Sequence, residues 1–304
     1  MNKILGVCVA LVLLTPSAHA SGIDVARQGY ELGSARQHTQ AVEQFRKALE
    51  LGDLDQKQKA KTYYNLGTSE LFSGNPDRAL KAFEQAEKLD PKNPDLLLNK
   101  SEAHRQLGQA QEAWKAAHAA NALRSDANAN YQEGLTLINL GQSKEATILL
   151  EKAVDDDTKN KDYRLAYGKA LATSGDYEKA EDILTDLLKD DAWIAQAYLY
   201  RAMSWRGLGQ ETKARADLTT AVQIAPDDPV IRSIYKQSRW SKEERNVKQL
   251  TKDVEGYTEP NTKSVSMMRL KKGQEVEVLK CQNGWCRVEV NGSYAGFVRQ
   301  SVLK

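Results

Sequence analysis

Between residues 21 and 228 apolar side chains recur three and four positions apart, the spacing that lines them along one stripe of an α-helix. In the stretch KTYYNLGTSELFSGNPDRALKAFEQAEKLDP, one such helix carries Tyr63, Leu66, Gly67 and Leu71 and stops at Gly74. A second carries Ala79, Leu80, Phe83 and Ala86 and stops before Pro91. The two stripes face each other, and a Gly or Ala at the crossing lets the helices approach closely. Gly74 can take the left-handed conformation that ends a helix. From about Thr251 the period changes to two. EVEVLKCQNGWCRVEV holds two alternating runs joined at Asn283-Gly284, a strong hairpin signal.

The helical pattern is copied. Glycines stand at Gly74, Gly108, Gly141, Gly175 and Gly209, each followed five residues later by an alanine: Ala79, Ala113, Ala146, Ala180 and Ala214. The spacings are 34, 33, 34 and 34 residues, the signature of a solenoid of stacked helical hairpins. An earlier unit near residues 22 to 55 carries Gly29, Ala41, Phe45 and Ala48, with its alanine 38 residues from the next. The extra four residues are expected in the loop between the two units. Residues 21–228 therefore read as an all-α superhelical solenoid of about six hairpins. Within 229–250, VIRSIYKQSRW supplies Ile231, Ile234 and Tyr235 as a capping helix over the last unit's open edge. The charged run SKEERNVKQLTKD continues it as a helical spacer, and 251–304 reads as a small β-barrel.

The repeated units resemble the tetratricopeptide repeat family, whose pattern runs large apolar, Leu-Gly, Ala, aromatic, Ala, Pro. Tyr63, Leu66, Gly67, Ala79, Phe83, Ala86 and Pro91 match it in one unit, and Tyr198, Gly209, Ala214, Ala221 and Pro226 in the sixth. The C-terminal segment resembles a bacterial SH3 domain through Leu270, Lys272-Gly273, Val276, Val278, Gly284-Trp285, Val288, Gly296, Val298 and Val302. Where that family opens with a run like LNVRSGPS, this chain has VEGYTEPN. The order of the two modules also resembles one of the Bat proteins associated with aerotolerance. Those typically carry membrane spans between the modules, whereas residues 227 to 250 are too polar to span.

The chain opens MNKILGVCVALVLLTPSAHASG, with Lys3, an apolar run from Ile4 to Leu14, Pro16, and small residues at Ala18 and Ala20. This reads as a signal peptide, residues 1–20, cleaved after Ala20. The run is about half the roughly 20 residues a spanning helix needs. Cys8 follows Val7, where a lipoprotein would need a small residue, so simple export to the periplasm or beyond is expected. The 43 basic and 41 acidic residues nearly balance, which argues against a nucleic-acid partner. Cys281 and Cys286 flank the hairpin turn symmetrically and fall opposite each other, about 4.5 to 5.5 Å apart at Cα. That separation and an oxidising compartment suit a structural disulfide. A redox motif would have two residues between the cysteines, and this pair has four. A metal site would need partners, yet His38, His104 and His118 all lie in the repeats.

Catalytic chemistry leaves no trace: there is no phosphate-cradling glycine loop and no nucleophile elbow. Asp155-Asp156-Asp157 and Asp190-Asp191 fall at joints between repeats, where solvated loop charge is the expected role. No enzyme activity, cofactor or metal is expected. In proteins resembling this one the first helix of each repeat lines a concave groove. Aligned on the alanine ladder, that groove receives Tyr64, Thr68, Leu98, Asn99, Glu102, Arg105, Tyr131, Leu135, Lys169, Met203 and Arg206. Aromatic anchors, a flexible Met and charges of both signs suit an extended peptide or a partner helix. Packing against neighbouring repeats is the alternative for each, most of all for Leu98 and Leu135. A clamp for a C-terminal carboxylate is not expected. Tyr64 and Thr68 replace its first Lys and Asn, and Asp95 its second Lys, although Asn99 matches. Three function classes remain: a scaffold holding a protein partner in the groove with the barrel as second contact; a peptidoglycan-associated module using Trp285, Tyr294 and Phe297; and an accessory subunit of an envelope enzyme or Bat-like complex. Trp285 and Phe297 equally suit the barrel core.

Overall fold

The structure is a computed structural model that describes residues 20–238, 246–290 and 293–304. The expected signal peptide and the middle of the expected spacer thus lie outside the described residues. The chain divides into two compact units, 1–124 and 125–304.

The first unit holds three helical hairpins: α1 (Gly22–Ser34) with α2 (His38–Leu51), α3 (Gln56–Phe72) with α4 (Pro76–Leu89), and α5 (Pro94–Gln106) with α6 (Ala110–Leu123). Small residues sit where the ladder puts them. Ala79 and Ala113 have no exposed surface. Gly29 and Gly67 receive the rings of Phe45 and Phe83, which an added Cβ would meet at 2.8 and 2.5 Å. Gly74 and Gly108 end first helices at φ of 77° and 71°, a region that L side chains reach only with strain. One expectation fails here. The connection 52–55 is no longer than the others, and the extra four residues lengthen α3 to 17 residues, against 13 in α5. QKQKAK contains no helix breaker, and Asp55 with Gln58 forms a capping box that starts the helix a turn early.

The second unit repeats the theme with α7 (Ala127–Asn139) and α8 (Ser143–Asp156), α9 (Lys161–Ser174) and α10 (Tyr177–Asp190), and α11 (Ala195–Gly207) and α12 (Glu211–Ile224). Leu150 and Leu184 fill the space left by Gly134 and Gly168. The capping helix α13 (Pro229–Gln237) forms as expected, its N-terminus capped by the Asp228 carboxylate. Ile231 and Tyr235 are buried against Leu218, Ala221 and Val222 of α12.

Six strands follow: β1 (Val247–Gln249), β2 (Val254–Tyr257), β3 (Ser266–Leu270), β4 (Glu275–Gln282), β5 (Trp285–Val290) and β6 (Ser293–Arg299). They form one antiparallel sheet in the order β1-β4-β5-β6-β2-β3 around Leu250, Leu270, Val276, Val288 and Val298. The β module therefore begins before Thr251, inside the expected helical spacer. Val247 pairs with Glu277, and Leu250 is buried in the sheet's core, so pairing with β4 and the burial of Leu250 outweigh the run of charge before them. The β4–β5 hairpin turns on Asn283 and Gly284, at φ of 52° and 75°. Cys281 faces Cys286 across it, with the two sulfurs bonded and the Cα atoms 4.0 Å apart, closer than expected.

The β module rests on the end of the helical stack through β4 and β5. Leu279 joins the cluster formed by α11, α12 and α13. Arg287 grips the Asp227 carboxylate with both terminal nitrogens, one at 2.6 Å. Glu289, 2% exposed, takes Arg232 and Lys236 of α13. Such a carboxylate is tolerable in the interior only because it is paired.

Candidate partner-binding grooves

In the first unit α1, α3 and α5 are neighbours. Tyr64, Thr68 and Asn99 come together. The Asn99 amide donates to the Tyr64 hydroxyl at 3.2 Å and to Thr68 Oγ1 at 3.1 Å, so these groups tie α3 to α5. Burial, and next the nearby Asp95 charge, raises the Tyr64 hydroxyl above its ordinary value. Glu102 and Arg105 also engage each other, with two hydrogen bonds of 2.7 and 2.8 Å. Leu98 is 5% exposed and offers a ligand almost nothing. It is a packing residue of α5.

Beside this trio lies a cleft of about 650 Å³ with Gln56, Lys57, Lys61 and Tyr64 on one side and Leu89, Asp90 and Asn93 on the other. Two smaller clefts continue along α1 and α3, past Tyr30 and Asn65 to His38 and Phe72. Apart from Tyr64, none of these side chains was expected in the groove from the sequence. Tyr30 precedes the ladder's first matched alanine, and Gln56 and Lys57 belong to the extra turn of α3.

In the second unit α7, α9 and α11 are neighbours. Tyr131 meets the Tyr163 ring at 4.8 Å between centroids. The Lys169 ammonium lies 5.6 Å from the centre of the Tyr200 ring, within range of a cation–π contact. Leu135 and Met203 are half-buried, and Arg206 is exposed, 3.7 Å from Glu211. Tyr163 and Tyr200 thus extend the expected aromatic lining. Burial lifts both hydroxyls above their ordinary value. Below them Arg201 binds both oxygens of Asp217, at 2.7 and 2.8 Å, and Thr185 at 3.1 Å. That network joins three helices.

In the β module Trp285 is 6% exposed, with Tyr257 edge-on at 5.9 Å and the Arg299 guanidinium 4.2 Å above its ring. It forms a wall of a cleft of about 520 Å³ that also holds Lys252, Glu255 and Tyr257. Tyr294 meets Phe297 edge-to-face, and its ring is covered by Arg287 at 4.4 Å. Phe297 lines a second cleft of about 440 Å³ with Trp285, Lys280 and Pro226. Trp285 and Phe297 are therefore brought together with Arg287, and Tyr294 adjoins them through its contacts with Phe297 and Arg287. Among the described residues no group of three His, Cys, Asp or Glu is placed to hold a metal ion, and no helix is long and apolar enough to cross a membrane.

Residues 64–130 and 137–203 match models of the tetratricopeptide repeat, and residues 257–304 match the bacterial SH3 domain. This is a tetratricopeptide-repeat chain with a C-terminal bacterial SH3 domain. The repeat region is similar in fold to a tetratricopeptide repeat protein from Parabacteroides merdae (19% identity, 74% of this chain and 96% of that one, TM-score 0.58). It is likewise similar to PilF of Pseudomonas aeruginosa (16% identity, 71% and 97%, TM-score 0.58). A third fold relative is YrrB, described as a tetratricopeptide repeat protein with an unusual peptide-binding site (23% identity, 63% and 97%, TM-score 0.52). No curated protein matches the chain.

Proposed function

We propose that this protein is a non-enzymatic scaffold of the bacterial envelope that holds a protein partner along the first helices of its repeats, with the SH3 domain as a second contact. The observation that carries this reading is the lining of α7, α9 and α11. Two tyrosine contacts, Lys169, Met203 and Arg206 lie side by side, partly exposed and chemically mixed. Such a strip offers aromatic anchors and charges without any acid–base or nucleophilic constellation. Export accords with the leader-like segment and with the Cys281–Cys286 bond, which persists in an oxidising compartment. Affinity purification of the full chain tests the reading. A partner retained by the native protein and lost from the Lys169→Glu, Arg206→Glu double variant supports it; equal retention by both sinks the groove assignment. Mass spectrometry of the exported chain should find Ser21 at its N-terminus.

A second reading has the SH3 domain binding peptidoglycan. The cleft beside Trp285, Tyr257 and Arg299 favours it, since aromatic edges and polar groups converge there. Sedimentation of the full chain with purified cell wall, abolished by Arg299→Glu, would support this role. No sedimentation by the native chain would exclude it.

A further inference from the structure

We infer that the groove of the first unit is built for an acidic, apolar-anchored extended peptide segment. This inference rests on the reading of the repeats as a partner-binding surface and adds the chemistry of the occupant. The three clefts along α1, α3 and α5 share walls. Lys61 borders the first and second, and Tyr30 and Asn65 border the second and third. They form one continuous path. Two aromatic rings stand open along it, Tyr30 at 57% and Phe72 at 67% exposure. Exposed rings in a concave setting are anchoring points for apolar side chains.

Charge decides the rest of the ligand. The walls carry Lys57, Lys61 and Arg27 against a single carboxylate, Asp90, in a chain whose total charge is nearly balanced. Arg27 is paired with Asp24, and Asp90 accepts a hydrogen bond from Asn93. Lys57 and Lys61 have no ion-pair partner among the described residues. Lys61 stands instead 6.0 Å from the centre of the Tyr30 ring. Lys57 owes its place to the extra turn of α3, so the one irregular spacing in the ladder is also what brings the second cation to the groove. Between the aromatic and basic stretches lies the half-buried Asn65, whose amide has no partner among the described residues. A side-chain amide offers both a donor and an acceptor, as an extended peptide backbone requires.

The probe is a fluorescein-labelled decapeptide of alternating Glu and Leu, with a Lys and Leu counterpart, read by anisotropy against the full chain. The glutamate peptide is expected to bind at least tenfold tighter than the lysine peptide, and less tightly as salt rises. Lys57→Glu with Lys61→Glu should reverse that preference, and Tyr30→Ala with Phe72→Ala should weaken the glutamate peptide about tenfold. Circular dichroism should show both variants as helical as the native chain, since all four side chains are on the surface. Equal binding of the two peptides, or a preference untouched by the lysine reversals, overturns the inference. If that happens while Lys169 and Arg206 still govern partner retention, the scaffold reading stands and only the first-unit chemistry is wrong.

Discussion

Replacing Gly168 with alanine sets two effects of opposite sign against each other. In the middle of α9 the change should gain about 1 kcal/mol of helix propensity. The added Cβ, however, would lie 2.5 Å from Leu184 Cδ2 and 2.6 Å from its Cγ. Leu184 has no exposed surface, and the atom at 2.6 Å is the branch point of its side chain, so it cannot simply swing away. Overpacking of this kind costs about 1–3 kcal/mol. The expected net is a loss of about 1 kcal/mol, read as a lower midpoint in urea unfolding followed by circular dichroism. The cause is isolated by repeating the change in a Leu184→Ala background. That substitution alone should cost about 2–5 kcal/mol, but it removes the obstacle. Gly168→Ala should then become stabilising by about 1 kcal/mol. Gly175→Ala is the control: its φ is 94° and nothing lies within 4 Å of the added carbon. It should cost about 1 kcal/mol from backbone strain in either background. A Gly168→Ala loss of equal size with and without Leu184 would refute the view that Gly168 marks a close helix contact.

Other perturbations test other joints. Asp217→Ala should destabilise the second unit by about 3–5 kcal/mol, because it strands Arg201 in a half-buried site; thermal unfolding would show it. Opening the Cys281–Cys286 link by the double change to serine should lower the β module's stability by about 2 kcal/mol, measured by urea unfolding with and without reductant. Hydrogen bonds from Arg287 hold the Asp227 carboxyl below its ordinary value, against a smaller opposing effect of burial. Its folded value is depressed, so its contribution is complete above the unfolded value near 4 and is lost as pH falls through the folded one. Asp227→Asn should therefore unfold with a shallower dependence on pH below about 4, and an unchanged pH profile would count against the pairing.

The helical stack was readable because its contacts use residues with almost no side chain. Ala79, Ala113, Ala146, Ala180 and Ala214 recur where the helices cross and have no exposed surface, so their period reports the hairpin directly. The β4–β5 register was readable for a similar reason, since Asn283-Gly284 admits a two-residue turn and little else. β1 was not, because three residues inside a charged run show no period, and its strand character comes from pairing with β4. The four-residue surplus was misplaced in a loop, since spacing counts residues without saying which element takes them. The expected groove residues were legible as positions on first helices, but the groups they contact were not. That Asn99 would donate to Tyr64 and Thr68 depends on the angle between neighbouring hairpins, whereas packing was already the stated alternative for Leu98. The seating of Arg287 on Asp227 depends on groups 60 residues apart in the chain, which no local pattern connects.

The scaffold account stands or falls on which surface meets the partner. The direct measurement is photocrosslinking in intact cells, with benzoylphenylalanine placed in turn at Tyr131, at Lys169, and at Ile148 on α8, which is 59% exposed. The account predicts the same protein adduct from Tyr131 and Lys169 and none from Ile148. Adducts from Ile148 alone, or equal adducts from all three positions, would contradict it.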